Sequence, residues 1–120
     1  MRAEAAPRTG DVLALSLSGL CLIHCLALPT LAVALPLFGA LAEAEWVHWA
    51  FVALAVPISL WTLSRGPRHG RARRLILATA GLGVMVAGVL GMGDETLMTV
   101  TGSLTLAAAH LLGLRRQARR

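Results

Sequence analysis

Four stretches of the chain, residues 12–41, 46–64, 75–92 and 97–114, contain no aspartate, glutamate, lysine or arginine, and short polar segments separate them. A helix needs roughly 20 apolar residues to cross the ~30 Å hydrocarbon layer of a membrane, and each stretch reaches or approaches that length. The first is too long for one straight span. Pro29 and Pro36 predict that it breaks into a main helix, residues 12–28, and a kinked second piece, residues 30–41. Proline removes a backbone donor, and its ring clashes with the turn before it. Pro57 predicts a kink in the second stretch. The expected fold is all-α: a polytopic membrane protein, a single domain over residues 1–120, built as a four-transmembrane-helix bundle.

Composition narrows the class further. With 57% hydrophobic and 14% charged residues in 120, the chain has too few charges for a water-facing globular surface. Its formal net charge of +5 arises from arginine, since it has no lysine. The arginines gather in a basic loop, residues 65–74, with Arg65, Arg68, Arg71, Arg73 and Arg74, and in a basic tail, residues 115–120. The positive-inside rule puts both segments, and hence both termini, on the cytoplasmic side of a cell inner membrane. Glu43, Glu45, Asp94 and Glu95 then fall in outward loops, and Trp46, Trp49 and Trp61 fit aromatic belts at the interfaces. Topology alone accounts for the arginines, so no nucleic-acid partner is expected. Nor is a cleaved leader expected. Glu4 and Asp11 interrupt its basic start, and the apolar run exceeds the usual ~7–15 residues.

Chemistry enters with Cys21, His24 and Cys25 in the first stretch. Spacings of i, i+3 and i+4 put all three on one arc of a helix, where they can converge on one object. Polar groups at membrane depth are costly, about 2 kcal/mol upward for charged ones, and tend to mark an ion path. Thiolate and imidazole together favour soft or borderline metals over calcium or magnesium. A buried cysteine acting as a small hydrophobe, or a histidine holding two helices together, is the plainer reading of each residue alone. A Cys21–Cys25 disulfide is disfavoured, because i and i+4 hold their β-carbons about 5–6 Å apart, against about 3.8 Å in a disulfide.

Two further histidines are candidate ligands. His48, near the outer end of the second helix beside Glu43 and Glu45, reads as a residue that gathers cations. His110, in the inner half of the fourth helix, reads as a second stop or a structural hydrogen-bonding residue. Counting about 1.5 Å per residue places Cys21 roughly 14 Å from Val12 at the inner edge and His110 roughly 6 Å from Leu114. A shared site would therefore need tilt or an offset. Small residues recur every fourth position, Thr79, Gly83, Ala87, Gly91 on the third helix and Thr101, Thr105, Ala109, Gly113 on the fourth. They predict a close seam between these helices, with a homodimer contact as the competing use.

The run Ser18-Gly19-Leu20-Cys21-Leu22-Ile23-His24-Cys25-Leu26-Ala27-Leu28-Pro29, followed by three more hydrophobic segments and a basic tail, resembles the MerC family of bacterial inner-membrane mercuric-ion transporters. The likeness covers nearly the whole chain in layout, and the motif region is its specific part. It implies a four-helix membrane protein whose cysteine pair in the first helix takes up Hg(II) for delivery to a cytoplasmic thiol acceptor, a reductase. Cys21 and Cys25 match that pair. Mercury members show Cys-x-x-Cys, whereas here His24 holds the fourth position and Cys25 follows it; their extra tail cysteines are absent.

The expectation is a transporter of soft heavy-metal ions, mercuric ion first, working by thiolate exchange at Cys21 and Cys25. It is not expected to be an enzyme or to carry a resident cofactor, and no nucleotide motif implies ATP. Hg(II) favours two thiolates in near-linear array, whereas zinc favours four ligands in a tetrahedron. Zinc or copper transport is thus the alternative, with His24, His48 and His110 as added ligands. Two other classes compete: a haem-binding bundle with His24 and His110 as axial ligands, and a thiol-disulfide enzyme, which burial of the thiols disfavours.

Overall fold

The structure is a computed structural model that describes residues 5–35, 39–40, 44–66 and 68–119. Glu43 and Pro36 lie outside the described residues, as do positions 37, 38 and 41 of the second piece expected at residues 30–41. Among the described residues every regular element is helical. Helix α1 spans Ala5–Leu22 and passes through a π-helical turn, Ile23–Ala27, into the short α2, Leu28–Ala32. Helices α3 (Glu45–Arg65), α4 (Arg71–Val89) and α5 (Glu95–Ala118) follow. Each of the four rods is long and apolar enough to span a membrane, the first counted as Arg8–Ala32. The helices run past their charge-free cores into the arginines: Arg71, Arg73 and Arg74, read from sequence as loop, form the first turn of α4, and Arg115 and Arg116 the last turns of α5.

The rods form a ring in which α1 packs on α3, α3 on α4, α4 on α5 and α5 back on α1, with the α4–α5 interface the most extensive. Polarity is inverted relative to a water-soluble bundle. Large apolar side chains such as Leu13, Leu20, Ile23, Leu54, Leu60, Ile76 and Leu104 point outward, and the interior holds Ala14, Ser18, Cys21, Ala55, Ser59, Ala78, Ser103 and Ala109. Lipid solvates leucine as well as a protein core does, so small residues, close backbone approach and interhelical hydrogen bonds bring the rods together instead.

The α4–α5 seam joins the helices expected from the small-residue stripes, yet the stripe on α4 is not the one that faces it. A β-carbon on Gly81 would lie 2.8 Å from the Gly102 carbonyl oxygen, and one on Gly102 only 2.6 Å from that of Gly81. Gly83 and Gly91 meet nothing within 4 Å, and Thr79 and Thr101 are exposed, their hydroxyls bonded to their own helix backbones. The buried face of α4 is Arg74, Ala78, Gly81, Met85 and Gly88. Ala109 and Gly113 of the α5 stripe do face inward.

Two glycines shape the ends. Gly70, at φ 71°, precedes α4. Gly91, at φ 72°, closes it: Met92 N–H donates to Ala87 O and Gly91 N–H to Gly88 O, a Schellman stop. Asp94 then caps α5, accepting from Leu97 N–H at 2.8 Å. The tight turn brings Glu95 to the mouth of the bundle.

Candidate metal site

The π-helical turn positions the central ligands. Pro29 has no N–H to donate to the Cys25 carbonyl and would crowd it in a regular helix. The chain widens there, and Leu28 N–H donates to Ile23 O, five residues back. Such single-turn widenings often occur at functional sites. Here it leaves the neighbours His24 and Cys25 both buried, 7% and 5% exposed. The break expected at Pro29 thus falls within the metal motif itself.

His48, on the first turns of α3, reaches the same point. Its Nε2 lies 3.5 Å from Cys25 Sγ, and its ring meets that of His24 edge-on with centroids 4.9 Å apart. Among the described residues, His24, Cys25 and His48 offer ligand atoms all within 4.8 Å of one another, and all three are buried. Thr99 Oγ1 on α5 sits 3.4 Å from Cys25 Sγ. Behind His48, Glu95 Oε1 lies 2.9 Å from Nδ1, close enough for an ion pair but off the line of a good hydrogen bond. A carboxylate behind one imidazole nitrogen keeps the proton there and turns the other, Nε2, toward a metal. Sequence spacing had set His48 beside Glu43 and Glu45; Glu45 is exposed on the first turn of α3, and among the described residues the carboxylate that reaches His48 is Glu95.

Cys21 is the deeper of the two thiols, 1% exposed and one turn along α1. Its Sγ accepts from Ser103 Oγ at 3.2 Å, and it stands four residues before Cys25 on the same rod, both side chains buried. Both cysteines are free thiols. On its far side from Cys25, Cys21 borders a small cavity whose wall includes Ser18, Phe51, Ser59, Met85 and Ser103.

His110 belongs to a different group. Its Nδ1 is 2.8 Å from Asp11 Oδ1 and its Nε2 is 3.2 Å from Ser59 Oγ, so both ring nitrogens are engaged. Gln117 Nε2 donates to Asp11 Oδ2 at 3.1 Å, and the buried Arg74 guanidinium lies beside the same carboxyl. Asp11 and His110 are both 0% exposed. On α1, Asp11 precedes His24 by thirteen residues, roughly 20 Å of helix. The fold therefore brings His24, Cys25 and His48 together, leaves Cys21 one turn away against Ser103, and holds His110 apart, so the two histidines a haem would need stand at different levels.

A family profile described as MerC mercury resistance protein matches residues 11–115, most of the chain. The chain belongs to the MerC mercury resistance family. No curated protein and no solved structure matches it. Membership makes it a multi-pass membrane protein of mercury resistance, related to transport. The matched region starts at Asp11 and ends at Arg115, so it takes in the cysteine motif, both histidine groups and Glu95. Asp11, Ser59, Met85, Glu95, Thr99 and Ser103 were not singled out as site residues from sequence. A signal was present: Asp11, Ala14, Ser18, Cys21 and Cys25 recur at the 3- and 4-residue steps of one helix face, as do His48, Val52, Ala55 and Ser59 on α3. Extending the motif's own face down α1 would have reached Asp11.

Proposed function

We propose that this MerC-family protein carries mercuric ion across the inner membrane by ligand exchange inside the bundle. The observation that supports this most is the buried convergence of Cys25, His24 and His48, contributed by two rods, with Glu95 behind His48. The ion arrives from the outer side past Glu45 and Glu95 and is taken by Cys25 with help from the two imidazoles. It passes to Cys21, one turn deeper, and leaves at the arginine end toward a cytoplasmic thiol acceptor. Exchange between neighbouring sulfurs means that the ion is never bare in the hydrocarbon layer. Orientation rests on the positive-inside rule, which assigns the arginine-bearing ends of α3, α4 and α5 to the cytoplasm.

A second reading, zinc or copper as the cargo, has one observation in its favour. One sulfur, two imidazoles and a nearby carboxylate make a donor set that a tetrahedral borderline ion accepts.

The test is ion uptake by cells expressing Cys21→Ser or Cys25→Ser, with folded protein in the membrane checked in parallel. Each variant is expected to abolish uptake of mercuric ion and the sensitivity that comes with it. Native-level uptake in both would remove the thiolate mechanism.

A further inference from the structure

Met85 is a buried sulfur for which exchange between the two cysteines has no use. It lies on the inward face of α4, 3% exposed, in the middle of the bundle. Its Sδ is 3.8 Å from Ser103 Oγ, and that same hydroxyl is 3.2 Å from Cys21 Sγ. One serine on α5 thus stands between a thiol from α1 and a thioether from α4. Both residues line the small cavity, which has room for about one water-sized particle (~10 Å³). A single ion stripped of its hydration shell is of that size.

We propose that Cys21 and Met85 form an inner, sulfur-only stop for the ion, with Ser103 between them, and that this stop passes soft ions and rejects zinc. The proposal rests on the soft-ion passage described above and adds to it a ligand and a basis for selection. The outer group offers one sulfur and two imidazoles, which zinc and mercury both accept. The inner pair offers thiolate and thioether, ligands that suit soft ions, with no imidazole or carboxylate among the described residues that line the cavity. Zinc held at Cys25 has nothing better to exchange onto, whereas a soft ion does.

The transfer balances without a co-reactant. The bond from the ion to the Cys25 sulfur breaks as the bond to the Cys21 sulfur, one turn away on the same rod, forms, and the proton of the Cys21 thiol passes to Cys25 in exchange. Met85 contributes a lone pair and releases no proton. The total charge of protein plus ion is unchanged, so the step adds no uncompensated charge to the interior.

The conservative variant is Met85→Leu, which keeps volume and apolar character. In cells, its uptake of mercuric ion is expected to fall about tenfold or more, while the purified variant binds Zn(II) as the native protein does. The native protein supplies a readout independent of how the variant folds. With methyl-¹³C-labelled methionine, Ag(I) or Hg(II) is expected to shift the Met85 resonance and Zn(II) to leave it in place, the exposed Met92 serving as internal reference. Native uptake in the folded Met85→Leu variant, or a Met85 methyl unmoved by Ag(I) and Hg(II), would overturn the inner stop and leave Met85 as core filling. Cys25→Ser separates the two ideas. If it loses uptake while Met85→Leu does not, the inner stop alone fails; if it and Cys21→Ser both keep uptake, the passage itself fails.

Discussion

Glu95 and Asp94 are adjacent carboxylates with separate tasks. Asp94 caps α5, whereas Glu95 turns back over the bundle mouth to His48 Nδ1. Nothing in their spacing distinguishes them; the start of the helix does, because cap and first-turn side chains leave it in different directions. Replacing Glu95 by Gln removes the charge that favours a proton on Nδ1 and leaves the size of the side chain unchanged. Loss of such a supporting partner typically weakens metal binding about 10–100-fold. Titration of purified Glu95→Gln with Zn(II) or Hg(II) is expected to fall in that range, and unchanged affinity would mean that Glu95 does not orient His48. The cysteine–histidine motif was legible because all three residues sit within one turn of one helix. His48 as their partner was not, because α1 and α3 meet through packing, and a contact across twenty-three residues leaves no periodic trace in the chain.

At the level of helices, hydropathy identified the four rods, and prolines identified the weak point of the first. The identity of the seam also followed from small residues, but its angular position did not. Steps of four on Thr79, Gly83, Ala87 and Gly91 trace a stripe as regular as the buried one through Ala78, Gly81, Met85 and Gly88. Both are rich in small residues, and only the approach of α5 selects between them. A pair of alanine substitutions separates the two faces. Gly102→Ala pushes a β-carbon into the Gly81 carbonyl and the Met85 backbone nitrogen, which can yield only if α4 and α5 move apart. It is expected to cost about 1–3 kcal/mol. Gly83→Ala enters open space and is expected to be neutral or stabilising by up to about 1 kcal/mol, since alanine is the better helix former. Thermal unfolding in detergent reads both; equal losses would place the seam wrongly.

Over the molecule as a whole, polar side chains form a lane down the centre of an otherwise apolar protein. From Glu95 and His48 it runs through Cys25, His24 and Thr99, then Cys21, Ser103 and Met85, then Ser59, and ends at His110, Asp11 and Arg74. The last group ties three rods together at the arginine end: Asp11 from α1, Ser59 from α3, His110 and Gln117 from α5. The buried Arg74 guanidinium of α4 lies beside it, with no hydrogen bond among the described residues. Gly66 and Gly113 make room for the Arg74 guanidinium, where any β-carbon would collide with it. Asp11→Ala strips His110 of its carboxyl partner and leaves Arg74 without the acid beside it. Breaking a buried pair in this way costs about 3–5 kcal/mol. The variant is expected to unfold at a clearly lower temperature than native protein, whereas the exposed Glu45→Ala is expected not to. Equal melting temperatures for the two would show that the group contributes nothing to holding the rods.

Membrane residence, the number of rods and the presence of a soft-metal motif are properties of local composition and spacing, and the chain carries them before it folds. A run without charge partitions into lipid whatever its neighbours are, and residues one turn apart share a face on any helix. Which distant groups join the motif is a different kind of fact. His48 and Ser103 reach the two cysteines, Glu95 and Met85 stand behind them, and His110 is taken by Asp11 instead, because four rods pack with one set of rotations and depths. Those rotations come from glycines and hydroxyls fitting across interfaces in three dimensions, and residues that meet there are separated along the chain by distances unrelated to helical pitch.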